Sequence, residues 1–150
     1  MDFSKYVLGN FFSSVTSFGT PVFYFAVVLL LMKINFSFAI KLIIALAATE
    51  AVCAIIKIAY PKQRPIPRPS RGLLEKYDAG SFPSIHSARI TALAVMVNSF
   101  YSDALLLSAG IALVIFVGYS RMYLKHHYFK DVIGGIVIGA IISLAASMLI

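Results

Sequence analysis

Long apolar stretches, each bounded by polar or charged residues, are the feature of this sequence that most limits its possible folds. Four of them approach or reach the roughly 20 residues that a membrane-spanning helix needs, and they cover residues 36–59, 84–100, 104–119 and 131–150. Hydrophobic residues make up 60% of the 150-residue chain, and the mean hydropathy is +0.89. A soluble domain is only about half apolar. The sequence therefore predicts an integral membrane protein.

Two shorter segments precede these stretches. Residues 21–32 are apolar but short for a span, and Thr20 followed by Pro21 is typical of a helix start, with Thr20 as the N-cap. Residues 3–18 mix apolar and polar side chains, which favours an interfacial or re-entrant helix. The N-terminus lacks the pattern of a cleavable signal peptide. We therefore expect one all-α domain over residues 1–150, an integral membrane helix bundle of about five transmembrane helices plus an N-terminal interfacial or re-entrant helix.

Three polar segments lie at the ends of the predicted spans: residues 57–65 (KIAYPKQRP), 83–86 (PSIH) and 120–131 (SRMYLKHHYFKD). The hydrocarbon core of a bilayer strongly disfavours charge, so charged clusters at the ends of spans usually contact something polar. Successive spans alternate in direction. Helix counting therefore places all three segments on the same membrane face, whichever way the protein is oriented.

The first two segments have the chemistry of an anion site. The loop between the second and third spans is rich in proline and in Lys and Arg, and its stiff backbone would hold cations in place. Ser84 is the predicted N-cap of the third span, and His86 lies in the first helical turn. Unpaired N–H groups and a partial positive charge favour phosphate binding there. The alternatives are a basic loop that attracts acidic headgroups and a histidine that is only a polar surface residue.

The third segment carries a histidine and a carboxylate at helical spacing. His127 and Asp131 are four residues apart and share one face if the segment is helical. The carboxylate would then accept a hydrogen bond from one ring nitrogen and leave the other free to attack. His126 would point about 100° away, so we expect only one of the two histidines in the site. Arg121 could bridge two phosphoryl oxygens; the alternative is a polar pair that only anchors a span.

Together, the three segments resemble the motifs of the type 2 phosphatidic acid phosphatase (PAP2) superfamily of membrane lipid phosphatases. The first motif, Lys, six residues, Arg-Pro, is matched by Lys57 and Arg64-Pro65. The second, Pro-Ser-Gly-His, stands here as Pro83-Ser84-Ile85-His86. The third, Ser-Arg, five residues, His, three residues, Asp, is matched by Ser120-Arg121, His127 and Asp131. The motif region covers residues 57–131, and its order and spacing agree with the family.

One position departs from the family pattern, because Ile85 replaces the glycine of the second motif. Glycine permits a close approach of backbone to phosphate and unusual torsion angles. Isoleucine keeps its N–H group but adds a branched side chain that could narrow the pocket. The effect of this replacement on activity is small if the backbone at Ile85 is helical.

The resemblance implies a mechanism and a role for each motif residue. His127 would be the nucleophile that forms a phosphohistidine, oriented by Asp131, and His86 would be the general acid for the leaving oxygen. The phosphoryl oxygens would be held by a set of four side chains and, at the glycine position, one backbone group: Lys57, Arg64, Ser84, Arg121 and Ile85. No metal and no other cofactor are implied, since cationic side chains take the place of magnesium.

The expected function is hydrolysis of a phosphate monoester or diphosphate on a lipid of the phosphatidic acid, phosphatidylglycerol phosphate or polyprenyl diphosphate type. Two alternatives remain open: a phospho-headgroup transferase that uses the same site, and a non-catalytic membrane protein that binds lipid headgroups. The net charge of +7 indicates a phosphorylated lipid and the bilayer as partners. Nucleic acid is excluded as a partner because the basic residues lie at helix ends.

Residues outside the motifs give weaker signals. Glu50 lies within the second span and is a functional candidate by its depth alone, although it could simply bond a neighbouring helix. Arg89 could contact phosphate or pair with Asp131. Small residues at 134–139 allow close helix packing, either within the bundle or in a dimer, and we expect a monomer or a weak homodimer.

Two indications of which membrane face carries the site conflict with each other. Of the 13 Lys and Arg residues, Lys33 and Lys41 fall on the face opposite the motifs and the other eleven lie on or near the motif face. The positive-inside rule then favours a cytoplasmic site, whereas the family usually faces its site to the periplasm, lumen or exterior. We expect a multi-pass protein of the cell membrane with its site on the extracytoplasmic side.

Overall fold

The structure, a computed structural model, describes residues 3–69 and 71–149, and within these residues the regular structure is entirely helical. The elements in order are α1 (Phe3–Thr16), a 3₁₀ turn (Ser17–Gly19), α2 (Pro21–Ile34), α3 (Phe36–Ala59), α4 (Leu73–Ala79), α5 (Ile85–Tyr101), α6 (Ala104–Tyr123) and α7 (Phe129–Leu149). The predicted all-α membrane bundle is confirmed. The last residue of the predicted fifth span, Ile150, lies outside the described residues.

Within the described residues, three helices are long and apolar enough to cross a membrane: α3, α6 and α7. α1 and α2 together form a fourth candidate, bent by 51° at the turn between them, as in a broken span or a re-entrant loop. The two further spans expected from sequence correspond to α2, with 14 residues, and α5, with 17. Each is shorter than the roughly 20 residues that cross the hydrocarbon core alone.

Capping residues fix where several helices begin. The side chains of Asn35 and Asp103 accept hydrogen bonds from backbone N–H groups three residues ahead, at 3.0 and 2.9 Å, and so start α3 and α6. α2 begins at Pro21, as predicted, but Thr20 makes no side-chain cap. Its hydroxyl instead donates to the carbonyl oxygen of Ser17 at 2.7 Å, which ties α2 to the preceding turn.

The central helix of the bundle is α5, which contacts α3, α6 and α7. The buried core beneath the site is formed by three large side chains and one alanine from α3 and α5, together with one alanine of α7: Phe38, Leu42, Ala45, Met96 and Ala146. Large apolar side chains on the outer faces remain exposed, among them Val22, Leu30, Ile55, Leu105, Ile115 and Ile141. An apolar exterior around a sparse core is what a bilayer requires.

Two glycines let α7 lie directly against the first turns of α5. A Cβ atom at Gly135 would overlap the carbonyl oxygen of Ser84, and one at Gly139 would overlap that of Ala88. These small residues therefore serve packing inside the bundle. Because Ser84 precedes His86 by two residues, this contact also fixes the position of the second motif.

We predict that Gly139→Ala lowers the free energy of unfolding by about 1–3 kcal/mol, because the added methyl group meets backbone that cannot move aside easily. Thermal unfolding in detergent measures this loss. The matched control is Gly9→Ala on α1, where an added Cβ has no atom within 4 Å; equal stability of both variants would contradict close α5–α7 packing.

Candidate functional site

The three motif segments meet at one cavity of about 540 Å³ at the end of the bundle. Its lining comes from α2 to α6, the loop before α4 and the turn before α7: Pro21, Glu50, Lys57, Arg64, Arg68, Tyr77, Asp78, Ile85, His86, Arg89, Arg121, His126 and His127. The structure thus brings together side chains from all three segments, as the alternation of spans predicted. Ser84 and Asp131 are fully buried beside this lining and do not form part of it.

The three motif cations are held by neutral oxygen atoms. Lys57 donates to the carbonyl oxygen of Gly80, Arg64 Nη2 donates to the carbonyl oxygen of Asp78 at 2.5 Å, and Arg121 Nη1 donates to Thr16 Oγ1 at 2.7 Å. The nearest carboxylate oxygen to Arg64 is 3.9 Å away. These contacts fix the cations without neutralising them.

Several buried nitrogen atoms around the cavity have no hydrogen-bond partner in the described part of the chain. They belong to two motif arginines and two histidines: Arg64 Nε and Nη1, Arg121 Nε, His86 Nδ1 and His126 Nδ1. Buried polar groups are nearly always paired in folded proteins. A bound anion with several acceptor oxygens would satisfy these donors.

The start of α5 positions the second motif. Ser84 Oγ accepts weakly from the N–H of Ser87 at 3.5 Å and from the Ser87 hydroxyl at 2.9 Å, so it acts as the predicted N-cap. Ile85 is the first helical residue, and its φ is negative, so this position does not need glycine for its torsion angles. Its side chain packs against Cys53 and Ala88 and also lines the cavity.

His127 is oriented by a carbonyl group and not by the expected carboxylate. Its Nδ1 donates to the carbonyl oxygen of Ser81 at 2.7 Å, whereas Asp131 Oδ2 lies 4.0 Å from the same nitrogen, too far for a hydrogen bond. Residues 124–128 form a turn before α7, so the helical geometry assumed for this pair does not apply. With Nδ1 donating, Nε2 is the unprotonated nitrogen available for attack.

The expectation that His126 stays out of the site is wrong, because both neighbouring histidines line the cavity. The reason is the turn that precedes them. Lys125 has a left-handed φ of 55°, and the N–H groups of His126 and His127 both donate to the carbonyl oxygen of Arg121, at 3.0 and 3.1 Å. Side chains of such a turn do not follow the 100° step of a helix.

Asp131 instead joins three segments of the chain. Its carboxylate accepts from Lys62 Nζ at 2.5 Å, from the Ser81 hydroxyl and from the N–H of Tyr128 at 2.9 Å. Its carbonyl oxygen accepts from the N–H of Ser84 at 2.8 Å. Asp131 therefore acts on His127 through Ser81, which holds the imidazole.

Glu50 and Arg89 form a pair inside the bundle. Arg89 Nε donates to Glu50 Oε2 at 2.7 Å, Arg89 Nη2 lies 2.6 Å from the same oxygen, and Glu50 Oε1 accepts from the Tyr77 hydroxyl. The pairing of Arg89 with Asp131, one of two options from sequence, is therefore wrong. This ion pair accounts for an ionisable residue at this depth without a catalytic role.

Burial and nearby cations keep His126 and His127 uncharged. Burial lowers the pKa of His127 far below its usual 6.5, and the positive charges of Arg121, Arg64 and Lys57 lower it further. The same causes, burial first and then Arg121, lower the pKa of His126 to about 4. At neutral pH the His127 imidazole is therefore neutral, as a nucleophile must be.

Sequence reasoning did not identify Ser81, Lys62, Thr16 or Gly19 as parts of the site. Ser81 and Lys62 lie in the loop that the motifs enclose, and only their burial and partners show their role.

In the described residues, no three His, Cys, Asp or Glu side chains are grouped so that they could hold a metal ion.

The fold and the site define an integral membrane helix bundle with a cation-lined histidine cavity at one end. The PAP2 superfamily model matches residues 38–150, and the chain belongs to that superfamily. No curated protein matches the chain.

Two crystal structures share the fold. One is the first transmembrane PAP2-type phosphatidylglycerolphosphate phosphatase from Bacillus subtilis, with a TM-score of 0.79 and 18% identity over 94% of this chain and 75% of that chain. The other is Aquifex aeolicus LpxE, with a TM-score of 0.80 and 21% identity over 93% of this chain and 85% of that chain.

We predict that the protein loses stability as the pH falls below about 6.5, because the unfolded state then binds a proton at His127 that the folded state excludes. The slope contributed by one such group approaches about 1.4 kcal/mol per pH unit. Thermal unfolding between pH 8 and pH 5 measures it. His127→Gln keeps an N–H donor for Ser81 but cannot titrate, so its slope should be shallower; an unchanged slope would contradict the prediction.

Proposed function

We propose that the protein is a membrane-embedded phosphatase that hydrolyses a phosphate monoester or diphosphate on a lipid through a phosphohistidine intermediate. One observation carries the proposal: His127, held by the Ser81 carbonyl group, shares a cavity with three motif cations whose partners are neutral. Membership of the PAP2 superfamily supports the same reaction class, and so does a neighbour described as a phosphatidylglycerolphosphate phosphatase.

In the first step, the lone pair on His127 Nε2 attacks phosphorus, and the bond from phosphorus to the lipid oxygen breaks. His86, which is protonated once the phosphate dianion offsets the surrounding positive charges, gives its proton to that oxygen, so the lipid leaves as an alcohol or, from a diphosphate, as a monophosphate. Lys57, Arg64 and Arg121 contact the phosphoryl oxygens, and the N–H group of Ile85, at the start of α5, lies behind them. These donors stabilise the charge that is shared among the oxygens in the transition state.

In the second step, water attacks the phosphohistidine, and His86 now accepts a proton from that water. The bond between Nε2 and phosphorus breaks, which restores neutral His127 and releases inorganic phosphate. The excess of fixed positive charge around the cavity would do the work that a magnesium ion does in other phosphoryl-transfer sites, so we propose a metal-independent reaction.

A lateral groove supports a lipid substrate. It has a volume of about 380 Å³, is lined by residues of α2, α3 and α5, and shares Pro21, Glu50 and Arg89 with the cavity. A lipid in the bilayer could therefore place its phosphate in the cavity while its chains stay between the helices. Every proposed site residue comes from one chain, so a monomer or a weak homodimer suffices.

We predict that purified protein in detergent releases phosphate from phosphatidic acid, phosphatidylglycerol phosphate or a polyprenyl diphosphate. His127→Ala should reduce release to background, and His86→Ala should slow it about 10²–10⁴-fold. His126→Ala is the matched control, because it removes the neighbouring imidazole and should still allow a ³²P-labelled phosphoenzyme to form.

Equal background release by wild type and His127→Ala would end the hydrolase proposal. Label that passes to an added alcohol in preference to water would instead support the transferase. Chelation of divalent metals by EDTA should leave the rate unchanged, and a loss restored by magnesium would contradict the metal-independent mechanism.

We also propose that the cavity opens on the extracytoplasmic face of the cell membrane. In a Cys53→Ser background, a membrane-impermeant maleimide added to intact cells should label Ile66→Cys, which replaces a side chain 55% exposed in the loop beside the cavity. Lys33→Cys, an exposed position at the end of α2, is the matched control and should be protected. The reverse pattern would place the site in the cytoplasm.

A further inference from the structure

The turn at residues 16–19, formed by the last residue of α1 and the 3₁₀ turn that follows it, contacts three polar side chains of the cavity. Thr16 Oγ1 accepts from Arg121 Nη1 at 2.7 Å, the carbonyl oxygen of Gly19 accepts from Arg89 Nη1 at 3.1 Å, and Gly19 lies directly against the ring of His86. The superfamily match begins at residue 38, so this turn lies outside it.

Gly19 leaves the space that the His86 ring occupies. A Cβ atom at this buried residue would lie 2.6 Å from both Cβ and Cδ2 of His86, which is well inside van der Waals contact. Any side chain here would therefore displace the imidazole. Because His86 Nδ1 has no partner in the described part of the chain, packing is what holds this ring in place.

Thr16 has the corresponding role for Arg121. Arg121 is 5% exposed, and its Nε has no partner in the described residues. The Thr16 hydroxyl accepts a hydrogen bond from one Nη atom. It thereby fixes the orientation of the guanidinium group, whose N–H groups would bind a phosphoryl group. The turn itself is fixed by the hydrogen bond from the Thr20 hydroxyl to the Ser17 carbonyl group.

We propose that the turn at residues 16–19 positions the leaving-group acid and one phosphate-binding cation, with Gly19 as the positioning residue for His86 and Thr16 as that for Arg121. This inference rests on the proposed function. It assigns to the N-terminal segment a part in proton transfer to the leaving oxygen and in anion affinity, beyond anchoring the protein in the membrane.

The role of Gly19 is tested with two substrates that differ in their leaving groups. Gly19→Ala should lower kcat for phosphatidic acid by about tenfold or more, because its alcohol needs a proton to leave, with little change in KM. The rate of the first-turnover burst with p-nitrophenyl phosphate should change less than twofold, since p-nitrophenolate leaves without protonation. Gly9→Ala, whose added Cβ meets nothing within 4 Å, should match wild type with both substrates.

The role of Thr16 is tested by measuring the affinity of the protein for anions. Thr16→Val should weaken inhibition by vanadate and thermal stabilisation by inorganic phosphate several-fold, and Thr16→Ser, which restores the hydroxyl, should recover both. Ser14→Ala is the control, because its hydroxyl donates to the carbonyl oxygen of Asn10 within the same helix.

The outcomes separate this inference from the proposed function. In a His86→Ala background, Gly19→Ala should cause no further decrease in kcat. An additional loss there, or an equal loss with both leaving groups, would overturn the role of Gly19, and unchanged anion affinity of Thr16→Val would overturn that of Thr16. If wild type releases no more phosphate than His127→Ala, the phosphatase proposal fails, while phosphate stabilisation still decides the role of Thr16.

Discussion

The buried carboxylate of Asp131 is the interaction on which the geometry of the cavity depends. It is fully excluded from solvent and accepts from Lys62, Ser81 and the N–H of Tyr128. A buried charge that loses a partner destabilises a protein strongly, so the loop after α3, the segment before α5 and the start of α7 are held together. Ser81 also orients His127, which makes the position of the imidazole a consequence of this one carboxylate.

Much of the fold and of the cavity could be predicted because the relevant patterns are local. The length of an apolar stretch predicts a helix, and the alternation of helices brings residues such as Lys57, His86, Arg121 and His127 to one end of the bundle. Asn35 and Asp103 are cap residues that mark helix starts directly in the sequence. The span count was harder, since α2 and α5 are short, and only packing shows how they are accommodated.

The contacts inside the cavity could not be predicted because they join distant segments through turns. The segment before α7 contains no glycine or proline, yet Lys125 adopts a left-handed φ and turns His126 towards the cavity. Asp131 meets Lys62 across 69 positions of sequence. Glu50 takes Arg89 as its partner, a choice between several available cations that depends on tertiary structure and not on spacing.

The partners of the cations explain how the cavity keeps its charge. Among the described residues, five cationic side chains and two carboxylates line it. The two cations outside the motifs, Arg68 and Arg89, are paired with those carboxylates. Lys57, Arg64 and Arg121 are held by carbonyl or hydroxyl oxygens, which fix their positions and leave their charge in place. Because like charges repel in a desolvated site, a bound anion would stabilise this arrangement, and this supports the proposal that the motif cations, and not all basic residues, bind phosphate.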